Sequence, residues 1–202
     1  MKIIATDNNY LTTSPAPAWF LLTHSCLLRD DKPVYIPEWD SDFRLFPSMA
    51  IRIDRLGKSI PERFAYRYWN HYSFGFSLRA CSTLQKLFSD NMPAGSATAF
   101  DNSVTISAWH EADKENLHNI EFSITDGESE LCRWRYTDLA LGADALLSQL
   151  SERMTFKTGD ILYLGFSPSG IQLKQGMKII VNELTTNSND TISRTFCGFN
   201  IK

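Results

Sequence analysis

The chain has 202 residues, a length that favours one domain with a substantial core. Its formal net charge is −3 and it has no long basic stretch, so nothing favours a nucleic-acid or anionic-membrane partner. The longest apolar run, Trp19 to Leu22, falls far short of the roughly 20 residues of a membrane helix, and the N-terminus lacks a signal-peptide core, so we expect a soluble cytoplasmic protein.

The first quarter of the chain predicts strands that are joined by proline-containing loops. Residues 2–6 and 19–22 have the apolar pattern of short strands, and prolines enclose a further extended segment at 33–37. Residues 43–53 alternate imperfectly between apolar and polar side chains. This last pattern predicts a strand with one solvent-exposed face.

A helix start and a strongly alternating strand follow. The sequence Ser59-Ile60-Pro61-Glu62 suits a helix N-terminus, because proline fits the first helical position and glutamate favours the positive end of the dipole. Phe64, Tyr68 and Trp69 are the candidates for its apolar stripe. Residues 72–78 alternate cleanly, which predicts a half-buried strand, and a short helix is predicted at 82–88.

The second half of the chain is predicted to be rich in strands. One helix is predicted at 139–156, where leucines recur at helical spacing, and Asp126-Gly127 marks a hairpin turn. Strands are predicted at residues 104–109, 120–124, 130–136, 161–166, 177–184 and 191–202. No repeat or linker divides the chain, so the elements predict a single α+β domain over residues 1–202 that is dominated by strands.

Several segments occur in a recognisable order along nearly the whole chain. They read KIIATDNNY, KPVYIPEWDSDFR, RIDRLGKSIPERFAYRYWN, YSFGFSLRACSTLQ, AFDNSVTISAW and FKTGDILYLGFSPSGIQLKQGMKIIV. In this order and spacing the chain resembles the catalytic domain of the fumarylacetoacetate hydrolase family. The first segment resembles a G-x-N-Y turn in which Asp7 replaces glycine, and the fourth resembles G-x-D-x-T-A-R-D-x-Q.

The resemblance implies a mixed β-sheet roll or sandwich with a few short helices, assembled as a homodimer. It also implies a magnesium or manganese enzyme that acts on 2-oxo or 1,3-dicarbonyl acids by C–C hydrolysis, decarboxylation or tautomerisation. In such an enzyme, carboxylates hold the cation, and the cation stabilises the substrate enolate as a Lewis acid.

The positions to which the resemblance assigns this chemistry carry other residues here. The E-x-E pair falls on Phe46 and Ser48, which share one strand face, and the third carboxylate falls on Ser77. The family's lysine, its T-G-T-P threonines and its lid histidine correspond to Thr98, Leu164, Phe166 and the segment Leu11-Thr12-Thr13. Neutral oxygens give a hard dication no charge compensation, so we expect no metal ligand, no catalytic residue of the family type and no cofactor.

A residual cleft is expected where these positions meet, since a protein can keep the fold of its family after it has lost the catalytic residues. Its candidate residues are Asn9, Tyr10, Phe46, Ser48, Ser77, Thr98, Asp101 and Phe166. Asn9-Tyr10 and Asp101 match the family pattern and are interpreted as residues with structural roles. The others predict a smaller, neutral and partly aromatic pocket, suited to an uncharged ligand or filled as core.

Two other groups have both a functional and a structural interpretation. Glu38, Asp40 and Asp42 either form a displaced metal site or a solvated acidic loop, and the loop is preferred. Cys81, at a predicted helix start, is either a nucleophile or an inert thiol, and the inert thiol is preferred. The widely spaced cysteines are expected to be reduced and structural.

Three functional hypotheses follow from these observations. The first is a non-catalytic homologue, either a pseudoenzyme that binds a small molecule or a scaffold protein. The second is an active hydrolase, isomerase or decarboxylase that acts on a 2-oxo or 1,3-dicarbonyl acid, with its site residues in another register of the family pattern or at a different site. The third is a purely structural or interaction role unrelated to oxo acids.

Overall fold

A computed structural model describes residues 1–11, 17–29, 32–187 and 190–202. Its strands are β1 Ile3–Asp7, β2 Ala18–Leu22, β3 Leu27–Arg29, β4 Phe43–Ile53, β5 Trp69–Ala80, β6 Val104–Ile106, β7 His110–Glu111, β8 Ile120–Thr125, β9 Glu130–Arg135, β10 Ile161–Tyr163, β11 Ile171–Gln172, β12 Lys178–Asn187 and β13 Asp190–Asn200. Its α-helices are α1 Glu62–Ala65, α2 Cys81–Ser89, α3 Gly95–Thr98 and α4 Ala143–Arg153.

The strands form two sheets. The larger, mixed sheet has nine strands in the order β2-β1-β10-β4-β5-β6-β3, with β11 paired to β4 and β7 paired to β5. The smaller sheet has the antiparallel order β13-β12-β8-β9. Parallel pairs join β1 to β10 and β3 to β6. The prediction of a strand-dominated α+β fold is therefore confirmed.

The hairpin of β4 and β5 crosses the centre of the molecule and is covered on both faces. Odd-numbered side chains of β4, such as Leu45 and Met49, belong to the larger core, which includes the smaller sheet and α4. Even-numbered side chains such as Phe46 and Ala50 belong to a second core on the opposite face.

The prediction of a half-buried β5 is wrong, because the polar positions of this strand are buried as well as the apolar ones. The curled larger sheet brings β6 so close to β5 that an ideal Cβ at Gly75 would lie 1.9 Å from the Thr105 carbonyl oxygen. Ser73 and Ser77, which flank Gly75 on the same face, have no exposed surface.

The predicted helices occur, but two are shorter than expected. In α4 the buried face is formed by Leu146, Leu147 and Leu150, as their spacing predicts, and the helix begins at Ala143, whose N–H donates to the Tyr136 hydroxyl. Helix α1 is a single turn. The predicted apolar stripe does not extend to Trp69, because that residue starts β5 and its indole N–H donates to Asp144.

Some extended segments differ from their predictions. Residues 33–37 form no strand, and Val34 makes only an isolated bridge with Ile201. The strands predicted at 104–109 and 161–166 end at Ile106 and Tyr163. Within the described ranges, no helix combines the length and the apolar character needed to cross a membrane.

Candidate functional site

The positions assigned to metal ligands by the resemblance lie together on one face of the central hairpin. Phe46 on β4 is opposite Ser77 on β5, and Ser48 is opposite Gly75. Ser48 and Ser77 are completely buried, whereas Phe46 is half-buried. This face belongs to the second core, where β1 and β10 also contribute side chains.

Both serine hydroxyls are engaged in hydrogen bonds within the protein. The Ser48 hydroxyl donates to the carbonyl of Met49 (2.9 Å) and accepts from the N–H of Gly165 (3.2 Å). The Ser77 hydroxyl accepts from Nε of Arg79 (3.1 Å). These contacts fix the hydroxyls in structural roles beneath the cleft.

Arg79 is the residue that dominates this face, and its position on the strand explains why. It lies two residues after Ser77, so its side chain projects from the same face of β5. Its guanidinium makes a bidentate contact with Asp7 at the end of β1: Nη2 lies 2.7 Å from Oδ1 and Nη1 lies 3.1 Å from Oδ2. Arg79 is 7% exposed, whereas 28% of the Asp7 side chain is exposed.

Aromatic rings surround the guanidinium. Its central carbon lies 4.6 Å from the ring centroid of Phe46, 5.1 Å from that of Phe166 and 5.9 Å from that of Phe20. Such contacts are favourable because the negative face of each ring attracts the cation. Arg79 is thus held by a carboxylate, a hydroxyl and three aromatic side chains.

A cavity of about 680 Å³ opens beside this group, a volume typical of small-molecule sites. Its wall is mainly apolar and is formed by Asp7, Asn8, Tyr10, Ala18, Phe20, Leu21, Phe46, Arg79, Leu84, Phe88, Pro93, Ala94, Gly95, Thr98, Ala99, Phe166, Ser167 and Pro168. Among these described residues, Asp7 and Arg79 are the charged ones. The cavity is therefore close to neutral and rich in aromatic rings.

The other candidate residues lie at different depths around the cavity. Tyr10 and Thr98 line it, and Tyr10 donates to the Gly165 carbonyl. Asn9 is buried behind it, where its amide group donates to the carbonyls of Leu141 (2.8 Å) and Leu164 (2.7 Å).

Two candidate positions lie away from this cavity. Asp101 is exposed and lines a separate cavity next to Leu28 and Tyr35. In the segment that corresponds to the family's lid, Leu11 is exposed, and Thr12 and Thr13 lie outside the described residues.

The residues on this face do not fit a magnesium or manganese ion. Phe46 offers no donor atom, and Asp7, the carboxylate that lines the cavity, already faces the positive charge of Arg79. A dication at this place would be repelled by the guanidinium. In the part of the chain that the structure describes, no group of three or more His, Cys, Asp or Glu residues is arranged to hold a metal ion.

The acidic loop has structural partners. Asp40 accepts hydrogen bonds from the backbone N–H (2.7 Å) and hydroxyl (2.6 Å) of Thr83, so it caps α2. Partial burial acts to raise the pKa of Asp40, but the hydrogen bonds from Thr83, the Asp42 backbone and Ser82 together outweigh it and hold the pKa below its ordinary value. Asp42 pairs with Arg44 (2.8 Å), and Glu38 is exposed.

Cys81 is the first residue of α2, but its environment does not activate it. Burial raises the pKa of its thiol, and the negative charge of Asp42 adds to this effect. A thiol that resists ionisation is a poor nucleophile. The environment therefore supports the inert interpretation.

The sequence interpretation overlooked Arg79, although the family pattern contained a signal. The pattern that places aspartate at Ser77 places threonine at Arg79, and the G-x-N-Y pattern places glycine at Asp7. Two uncharged positions thus carry opposite charges in this chain, 72 residues apart. Opposite departures of this kind indicate a spatial pair.

The comparisons with known proteins agree with this fold. A family model described as fumarylacetoacetate (FAA) hydrolase C-terminal matches residues 4–194. No curated protein matches the chain. Among solved structures, a protein from Yersinia pestis CO92 assigned to the same family shares 20% identity at a TM-score of 0.85, over 100% of this chain and 92% of that chain.

Two further similar structures are enzymes. Fumarylpyruvate hydrolase from Pseudomonas aeruginosa, solved with Mn²⁺ and pyruvate, has 16% identity and a TM-score of 0.81, over 100% of this chain and 89% of its own. The 5-carboxymethyl-2-hydroxymuconate delta-isomerase from Mycobacterium smegmatis has 19% identity and a TM-score of 0.80, over 100% of this chain and 79% of its own. At these identities the similarity shows the fold alone.

Proposed function

The chain belongs to the fumarylacetoacetate hydrolase family, and from this premise we propose that it is a non-catalytic member whose cleft binds a small molecule without metal. The observation that carries the proposal is the Asp7–Arg79 pair. It fills the face on which the resemblance would place a cation and its carboxylates. The cavity that remains is large enough for a ligand.

The chemistry of the lining residues supports a binding role. Enolate formation needs a base and an electrophile that are both available to the substrate. Here the carboxylate and the guanidinium neutralise each other. Burial, and secondarily the charge of Asp138, raises the pKa of Tyr10 well above its ordinary value, so this phenol stays protonated and is a poor base.

Turnover and metal binding test this proposal. The purified protein is titrated with Mg²⁺ and Mn²⁺ by calorimetry and is assayed with each ion for oxaloacetate decarboxylation and acylpyruvate hydrolysis. We expect no binding at micromolar metal and no metal-stimulated turnover. Metal-stimulated turnover by the folded protein, in step with micromolar binding of the same ion, would overturn the proposal.

A second candidate function is an enzyme that acts on a 2-oxo or 1,3-dicarbonyl acid without the family's metal site. It is favoured by one observation: the partly exposed Asp7 carboxylate lies beside a cation in an open cavity. Keto–enol conversion of phenylpyruvate, followed by the enol absorbance in the presence of a chelator, distinguishes the candidates. A rate above the buffer rate that Asp7→Asn abolishes would favour the enzyme.

We also propose, from the family resemblance, that the chain forms a homodimer. Light scattering of the purified protein tests the assembly. A monomer at micromolar concentration would contradict it without affecting the proposal for the cleft.

A further inference from the structure

We infer that the Asp7–Arg79 pair makes the cleft selective for uncharged, flat aromatic molecules that carry an amide-like polar group, and against carboxylate-bearing ones. This inference rests on the proposed binding function and names its ligand class. It assigns a specificity role to two residues whose positions have no charge in the family pattern.

The charges that line the cavity disfavour a carboxylate ligand. The bidentate contact between Arg79 and Asp7 compensates the cation, and no other charged side chain lines the described part of the cavity. A carboxylate that approached Arg79 would also face the partly exposed carboxylate of Asp7. Moving an unpaired charge into an apolar cavity is unfavourable, so a neutral ligand binds with less penalty.

The shape of the cavity favours a flat ligand. The rings of Phe46, Phe166 and Phe20 lie within 6 Å of the guanidinium, and Phe166 is also stacked on Tyr163, with centroids 4.9 Å apart. At the mouth, Phe88 is 63% exposed and lines the same cavity. Aromatic walls favour a flat ligand that can stack on them.

The Asp7–Arg79 pair retains hydrogen-bonding capacity for a ligand. A guanidinium has five N–H groups, of which Asp7 and Ser77 use three. The Asp7 carboxylate likewise has lone pairs beyond those used by Arg79. An amide both donates and accepts hydrogen bonds, so it matches this pair, whereas a carboxylate can only accept.

The two charges depend on each other. Arg79 is almost fully buried, and a buried cation without a partner would destabilise the fold. Asp7 reaches it from a different strand, 72 residues away. Arg79 therefore needs Asp7 in order to be accommodated in this cleft.

Two matched aromatic probes test the inference. Naphthalene-2-carboxamide and naphthalene-2-carboxylate have nearly the same shape and differ in charge. Calorimetric titration of the full chain at neutral pH and low salt is expected to give at least about tenfold tighter binding of the carboxamide. Equal or tighter binding of the carboxylate, or no binding of either probe up to its solubility limit, would overturn the inference.

A variant at Asp7 tests the cause. Asp7→Asn keeps the size of the side chain and an oxygen acceptor for Arg79 but removes the negative charge. We expect its carboxylate affinity to rise at least about tenfold relative to its carboxamide affinity. Glu38→Gln is the matched control, because it removes the same charge at an exposed position outside the cavity and leaves the ratio unchanged. A ratio that responds equally in both variants would contradict the assigned cause.

A variant at the mouth covers the case in which Asp7→Asn fails to fold. Phe88→Ala changes an exposed side chain that lines the cavity, and it is expected to weaken carboxamide binding at least about threefold. Leu56→Ala, at a residue that is 67% exposed and does not line the cavity, is the control and leaves the affinity unchanged. Unaltered binding by Phe88→Ala would contradict this site.

The two proposals can fail separately. Metal-stimulated turnover would overturn the proposed function even if the carboxamide preference held. A missing preference without turnover would overturn only the ligand class inferred here.

Discussion

Arg79 on β5 and Asp7 on β1 form a bidentate ion pair that links two strands of the larger sheet, with Nη2 and Oδ1 2.7 Å apart. The cation is buried and its partner is only partly exposed, so removal of either residue leaves the other charge without its partner on this face. Such a removal affects both the stability of the fold and the cleft.

Replacing Arg79 by methionine is expected to lower the free energy of unfolding. The change leaves Asp7 without its partner, and breaking a buried pair typically costs about 3–5 kcal/mol, so we expect about 2–4 kcal/mol because Asp7 is partly exposed. Urea denaturation measures the loss. Arg44→Met is the control, since the Arg44 side chain is 43% exposed in its pair with Asp42, against 8% for Arg79, and a loss of the same size there would contradict the role of burial.

Asp40 is expected to stabilise the start of α2. Asp40→Asn weakens the cap on the Thr83 N–H and should lower the free energy of unfolding by about 1 kcal/mol at neutral pH. Because folding lowers the pKa of Asp40, its contribution is present above the ordinary pKa of about 4 and is lost as the pH falls through the lowered pKa. The difference between variant and wild type should therefore shrink in acid, and one that grew would contradict this cap.

His110 is expected to make the fold sensitive to mild acid. Burial lowers the pKa of its imidazole, the charge of Arg194 adds to this, and Glu183 opposes it only partly. The imidazole packs on Phe196, with ring centroids 4.5 Å apart, and its buried Nε2 has no hydrogen-bond partner in the described part of the chain. The neutral form is therefore the one that fits the fold.

The sign of this effect follows from the direction of the pKa shift. In the unfolded chain His110 has its ordinary pKa of about 6.5, and in the folded protein its pKa is lower. As the pH is lowered below about 6.5, the unfolded chain is protonated first, so the free energy of unfolding decreases until the pH reaches the lowered pKa of the folded protein. His110→Phe should lose less stability than the wild type between pH about 7.5 and 5.5, as measured by urea midpoints. His118→Asn, at an exposed position, is the control, and an equal response in both variants would refute the assignment.

The sequence contained enough information to predict the strands of the central hairpin, but not to predict which strands cover them. Alternation predicts β4 at 43–53, and the structure has the same bounds, but the prediction that one face of this strand is solvent-exposed is wrong, because Ser48 and Ala50 on that face are fully buried. The burial of Ser77 and Arg79 was not predicted, since it results from β1, β6 and β10 covering that face. A local pattern cannot report how distant strands pack.

The same limit applies to the site. The family resemblance places its E-x-E pair at Phe46 and Ser48, and the two-residue spacing puts both side chains on one strand face, so this part of the site can be recognised from the sequence. The contact between Asp7 and Arg79 on the same face joins residues 72 positions apart, and its detection requires the fold. Likewise, the acidic segment that contains Asp40 has the composition of a solvated loop, and only the position of α2 shows that Asp40 is a cap.

Gly75 provides the sharpest test of the packing that builds the cleft floor. An ideal Cβ at this position would lie 1.9 Å from the Thr105 carbonyl oxygen, which is backbone and cannot rotate away. Gly75→Ala is therefore expected to force β5 and β6 apart and to cost more than about 3 kcal/mol of the free energy of unfolding, or to prevent folding.

Gly95→Ala is the matched control for this variant, because no heavy atom lies within 4 Å of its ideal Cβ and the residue starts helix α3. Alanine there should change the free energy of unfolding by no more than about 1 kcal/mol, with stabilisation expected from the lower entropy of the unfolded chain. Urea denaturation of both variants, with far-UV circular dichroism to check folding, measures the contrast. If Gly75→Ala were as stable as Gly95→Ala, β6 could not lie against β5 as described. The packing of β6 would then not explain why Ser77 is buried beneath the cleft.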